Sequence, residues 1–176
     1  MPNWCEATLT VQGSKAELDR FRLFAKTKDK VLDEKKFLPY PKRFVDMDIA
    51  SRLWDKKNTV DGTHFGKLKE GVKCDDRPKD GFNSGGYEWC IENWGTKWGI
   101  CDPVLTDKSE DELHYRFDTA WSPCTPVIFK MSELFPALTF EMEYFEGGMG
   151  FSGYYCVKNG DVIKDATADY AGPRGG

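Results

Sequence analysis

The segment from Cys5 to Gln12 constrains this chain most. Cys5, Ala7, Leu9 and Val11 alternate with Glu6, Thr8, Thr10 and Gln12, the period-two pattern of a strand with one buried face. Gly13 ends the alternation. Ser14 and Glu17 then supply the Ser-x-x-Glu signature that opens a helix, and Leu18, Phe21, Phe24 and Ala25 fall on one side of it. A one-faced strand running into an amphipathic helix needs further strands beside it and helices over one side of the sheet.

The rest of the sequence supplies them. Tyr87, Cys90, Ile91 and Trp94 recur at helical spacing behind Asn83 or Ser84 as a cap, and Gly95 is placed to stop that helix. A short strand is expected over Trp98–Cys101, ended near Pro103. Leu113, Tyr115, Phe117, Thr119 and Trp121 alternate with His114, Arg116, Asp118 and Ala120 in a strong strand. Thr125 as N-cap with Pro126 at the first helical position opens a helix buried through Val127, Ile128, Met131, Leu134 and Phe135. Leu138, Phe140, Met142 and Tyr144 point inward on the next strand, with Thr139, Glu141 and Glu143 outward. Asn159-Gly160 lies between Tyr154–Val157 and Val162-Ile163, a type I′ hairpin signal.

Residues 27–82 break this order. They are rich in Lys and Asp, carry Pro39, Pro41 and Pro78, and read as an insertion, with a short helix over Asp48–Asp55 anchored by Ile49, Leu53 and Trp54. Setting the insertion aside leaves β-α-β-β-α-β plus a hairpin. The predicted fold is therefore α+β, a ferredoxin-like sandwich in one domain over residues 1–176, with a large insertion after the first helix and a C-terminal β-hairpin. The tail 171–176 is expected to be disordered.

Composition narrows the function classes. The net charge of −4 argues against a general nucleic-acid coat. Charge is uneven: Lys26–Lys57 holds ten basic and six acidic residues, whereas the stretch from Thr106 onward holds six basic and twelve acidic. No apolar run approaches the roughly 20 residues of a membrane span, and no secretory signal opens the sequence, so a cytoplasmic protein with reduced thiols is expected. Cys5, Cys74, Cys90, Cys101, Cys124 and Cys156 are scattered, with no Cys-x-x-Cys and no histidine at ligand spacing. Neither a metal nor a cofactor is expected.

Chemistry concentrates in Glu92-Asn93-Trp94-Gly95-Thr96-Lys97-Trp98-Gly99 at a helix-to-strand junction. Two indoles around a lysine and a threonine, with an asparagine alongside, can stack a planar ring and hold an anion. The same residues can equally be packing, with Trp94 finishing a helix face and Trp98 starting a strand. The topology brings Trp4 and Trp121 toward the same end of the sheet. The candidate ligand-binding set is thus Asn93, Trp94, Thr96, Lys97, Trp98, Trp4 and Trp121. Glu141, Glu143 and Glu146 are the other cluster, but they alternate with core residues and have no histidine partner.

These segments carry a resemblance. Met1-Pro2-Asn3-Trp4-Cys5 with Leu9-Thr10-Val11-Gln12-Gly13, the Trp-Gly-Thr-Lys-Trp run, Thr119-Ala120-Trp121-Ser122-Pro123 and Phe140–Gly147 resemble, in order, the YubB-type ferredoxin-like proteins. Glu6 and Cys124 depart from that pattern, which favours Asn and Pro there. The resemblance implies a ferredoxin-like fold and a phage, plasmid or bacterial setting, and it brings no catalytic residues with it.

Three functions follow as expectations. The first is a non-catalytic phage- or plasmid-type accessory protein that binds a host component, either a nucleotide-like ligand or a defence protein, through the Trp/Lys/Asn site. The second is a nucleotide enzyme using Glu92 or Glu146. The third is a single-stranded nucleic-acid module on the sheet face, disfavoured by outward Glu6, Glu141 and Glu143.

Overall fold

A computed structural model of the chain describes residues 3–172. The alternating segment forms β1 (Trp4–Gln12), followed by α1 (Lys15–Ala25). After α2 (Lys42–Asn58) and α3 (Gly86–Trp94) come β2 (Cys101–Lys108), β3 (Glu112–Ala120), α4 (Thr125–Leu134), β4 (Thr139–Glu146), β5 (Phe151–Lys158) and β6 (Asp161–Asp169). The strands make one antiparallel sheet in the order β2-β3-β1-β4-β5-β6. The first four positions are the ferredoxin-like core, and β5 and β6 extend it beyond β4.

Packing groups the chain into two compact units. One comprises the residues up to Pro39 and those from Cys90 onward, and the other is Tyr40–Trp89. The chain after α1 therefore stays with the sheet for longer than composition suggests. Leu32 and Phe37 lie in the core of the first unit, and the second unit begins at Tyr40.

The core of the sheet unit follows from its alternation. Cys5, Ala7, Leu9 and Val11 of β1 are buried with Leu113, Tyr115 and Phe117 of β3 and Phe140 and Met142 of β4. Leu18 and Phe21 of α1 and Val127, Ile128 and Met131 of α4 are buried with them. Phe21 meets Phe135, Phe140 and Tyr115 edge-on, with ring centroids 5.2, 5.4 and 6.3 Å away. Edge-on pairs of this kind add about 0.5–1.5 kcal/mol each beyond burial.

Several local expectations change. The Ser14 hydroxyl accepts from the Glu17 N–H, but the Glu17 carboxylate turns to Arg20 at 2.6 Å instead of closing the capping box. Cys124, not Thr125, is the N-cap of α4, and no side chain caps that helix. Trp98–Ile100 is not a strand. β2 starts at Cys101 and runs through Pro103, which an edge strand tolerates. A register shift between Cys101 and Val104 and a positive φ of 47° at Asp102 absorb that proline. β3 stops at Ala120, and Trp121 turns left-handed (φ 73°) and is exposed instead of continuing the buried face.

The hairpin turn forms as expected, with Asn159 and Gly160 both at positive φ (51° and 74°), and its strands run longer than the sequence suggests. Of the tail predicted at 171–176, residues 173–176 lie outside the described residues.

Within Tyr40–Trp89, α2 runs for 17 residues. Its buried face is Phe44, Ser51 and Asp55, while Ile49 and Leu53, the expected anchors, are exposed. Asp48 holds the loop at Gly81 and Phe82 by accepting both backbone N–H groups (2.8 and 3.2 Å). Asp55 is buried between Arg77 (2.8 Å) and His64 (3.1 Å).

Candidate functional site

The Trp-Gly-Thr-Lys-Trp segment is a loop pinned at nearly every residue. Trp94 closes α3, is buried, and donates its indole N–H to Leu38 O at 2.9 Å. Gly95 follows at φ 75°, and a Cβ there would sit 2.7 Å from Pro126 Cδ. The Thr96 hydroxyl, fully buried, donates to Ala120 O at 2.8 Å, and the Ser122 hydroxyl donates to Gly95 O at 2.6 Å. These two bonds fasten the loop to the end of β3.

Beneath it lies Glu34, only 1% exposed, a residue the sequence did not single out. Its carboxylate meets the Lys30 ammonium at 3.2 Å and the Ile100 N–H at 3.3 Å. Gly99 takes φ 73°, and a Cβ there would lie 2.5 Å from Glu34 Oε1. Burial pushes the Glu34 carboxyl above the ordinary range, with the Lys30 charge pulling the other way. No motif announces this residue. Its place depends on residues 27–39 folding under the loop.

The predicted ligand set therefore divides. Trp94 and Thr96 are buried and hold the loop. Asn93 is half-buried on the last turn of α3. Trp4, Trp98 and Trp121 are 39%, 41% and 44% exposed, unusually open for so large a side chain. Trp4 and Trp98 pack on one another with ring centroids 6.1 Å apart at 55°, and the Lys97 ammonium lies 4.8 Å over the Trp98 ring. The Trp121 N–H donates to Asn3 O at 3.0 Å, which sets its backbone beside Trp4. One end of the sheet thus presents an aromatic and cationic patch on a pinned backbone.

The carboxylate candidates are less free than the tryptophans. Glu146 is 1% exposed and accepts the N–H groups of Gly148 (2.8 Å) and Met149 (2.5 Å), so both its oxygens fix the β4–β5 turn. Glu92 is exposed on α3. On the side of the sheet away from α1 and α4, Glu6 pairs with Arg116 at 3.2 Å and the Tyr154 hydroxyl donates to Glu141 at 2.8 Å. Burial and the Glu141 charge both push the Tyr154 phenol up. Burial raises the Cys5 thiol to about 12 and pushes Cys124 higher still, so neither is a thiolate at neutral pH. Among the described residues no group of three or more His, Cys, Asp or Glu could hold a metal ion, and no helix is long and apolar enough to cross a membrane.

Residues 94–172 match the family model described as the ferredoxin-like domain in Api92-like protein. The crystal structure of a protein api92 from Yersinia pseudotuberculosis superposes with a TM-score of 0.56, at 14% identity, over 98% of this chain and 100% of that one. At that identity the likeness concerns the fold. No curated protein matches the chain. The ferredoxin-like fold is thus supported by the sequence pattern, the strand order and both matches.

Proposed function

We propose that this chain is a non-catalytic binding protein that engages a macromolecular partner through Trp4, Trp98, Trp121 and Lys97. The observation that carries the reading is three indoles about 40% exposed on a backbone fastened by Thr96, Ser122 and Gly99. Rigid, open aromatics beside a cation are the usual anchors of a protein interface, because little side-chain entropy is lost when they are covered. A ring sandwiched between two indoles needs them about 7 Å apart, two contacts of about 3.5 Å. At 6.1 Å Trp4 and Trp98 already touch each other, which favours a surface laid over them to a nucleotide slid between them. The likeness to YubB-type proteins supports an accessory protein of a phage or plasmid acting on a host protein, such as a defence component, in the bacterial cytoplasm.

The test compares proteins retained from host extract by the wild type, Trp98→Ala and Trp121→Ala, each with unchanged far-UV circular dichroism. A protein retained by the wild type and lost by both variants fits the reading. Identical retention by all three contradicts it. Titration of the same proteins with nucleotides, followed by tryptophan fluorescence, separates the small-ligand version: a saturable change abolished by Lys97→Ala would move the site to nucleotides.

A further inference from the structure

The open side of the sheet carries a second feature, which does not rest on the tryptophan patch. A groove of about 870 Å³ runs over β1, β4, β5 and β6, within the roughly 300–1,000 Å³ typical of ligand pockets. Its aromatic lining is Tyr154 with Phe145 and Tyr170, the last two stacked at 4.8 Å and 17°. Its charged lining is Glu6, Glu143 and Arg116. Glu6 already neutralises Arg116 at 3.2 Å, and the Lys164 ammonium of β6 lies 4.9 Å over the Tyr154 ring, whereas Glu143 makes no ion pair among the described residues and Glu141 stands behind the Tyr154 hydroxyl. Aromatic faces beside an uncompensated carboxylate select a guanidinium or ammonium group and repel phosphate.

The wall of the groove toward the sheet edge is low. It is formed by Ala166, Thr167 and Ala168 of β6, an edge strand whose nine residues are all exposed. No described strand pairs with the outer side of β6, so a row of backbone donors and acceptors there is open to an added strand. A second copy of this chain is a poor occupant. Antiparallel self-pairing centred on Asp165 would set Asp165 against itself and Asp161 against Asp169, and like charges directly opposite destabilise a pair. The same three aspartates favour a basic strand.

We propose that the β6 edge receives an extended, basic segment of a partner protein as a seventh strand. An Arg or Lys side chain of that segment crosses Ala166 to reach Glu143, which has no cation of its own among the described residues, displacing Lys164 from the Tyr154 ring on the way. The backbone ladder supplies binding without sequence preference, and the groove supplies the choice of a cation at one position.

The test uses the full chain against a surface-bound library of nine-residue peptides whose central residue is fixed as Arg, Lys, Glu or Ala. Capture by the Arg and Lys sets should exceed the Glu set by about tenfold or more, the effect of one well-placed charge pair. Glu143→Lys should abolish that preference, and Ala166→Phe should reduce capture by filling the groove. Equal capture of all four sets overturns the proposal, and so does a preference that survives Glu143→Lys. Competition by free argininamide as effective as that of the peptides would replace the strand with a small-cation pocket and equally overturn it.

Discussion

Replacing Gly99 by alanine probes the support of the patch. Two costs are set by the structure. At φ 73° an L-residue is left-handed, which costs about 1–2 kcal/mol. The added Cβ would also lie 2.5 Å from Glu34 Oε1 and 2.6 Å from its carboxyl carbon, so Glu34 must leave its place against Lys30 and the Ile100 N–H. Breaking a buried ion pair costs about 3–5 kcal/mol. Lys30 is partly exposed, so the low end applies here, and the total is about 4–5 kcal/mol. Gly150→Ala is the control. It has a similar φ of 77°, but the nearest atom to its new Cβ is Tyr170 O at 3.9 Å, so only the conformational cost of about 1–2 kcal/mol applies. Urea unfolding followed by both fluorescence and circular dichroism should place Gly99→Ala about 3 kcal/mol below Gly150→Ala at equal m-value. Equal losses in the two variants would refute the claim that Glu34 fills the space under the loop.

Three further outcomes follow from named groups. Because burial raises the folded-state pKa of Glu34 above its unfolded value of about 4.3, the native state keeps this proton longer as pH rises. Its contribution to stability is therefore present at low pH and declines through the window just above 4.3; Glu34→Gln should remove that decline in urea midpoints measured from pH 4 upward. Glu146→Gln removes one acceptor from the β4–β5 turn and should cost about 1–3 kcal/mol, with faster amide hydrogen exchange at Gly148 and Met149. A maleimide at neutral pH should label exposed Cys74 in the native protein and reach Cys5 and Cys124 only on unfolding, read by mass spectrometry of the labelled peptides.

The fold was legible where one period governs a whole segment. β1 and β4 bury the residues that their alternation marks, α1 buries Leu18, Phe21 and Ala25 of its stripe but leaves Phe24 exposed, and Asn159-Gly160 makes the turn its residue types demand. It was illegible where tertiary partners decide. The face of α2 that is buried includes Ser51 and Asp55, polar residues invisible to an apolar pattern, and Asp55 meets Arg77 and His64 only once the chain folds. Trp121 looked like the next inward residue of β3, yet the strand ends one residue earlier and the backbone turns left-handed. At the site, residue types suggested the patch, but nothing in the spacing separated Trp98, which is open, from Trp94 and Thr96, which hold the loop. Glu34 carries no local signal, because only the approach of Gly99 and Ile100 gives it a role.

The central claim is that Trp4, Trp98 and Trp121 are open to a partner while Trp94 is structural. Its most direct measurement is the relaxation of each assigned indole N–H resonance by a soluble paramagnetic probe. Strong broadening is expected for Trp98, Trp4 and Trp121, and protection for Trp94, whose N–H is held by Leu38 O. Protection of Trp98 and Trp121 equal to that of Trp94 would place them in the core and contradict the account.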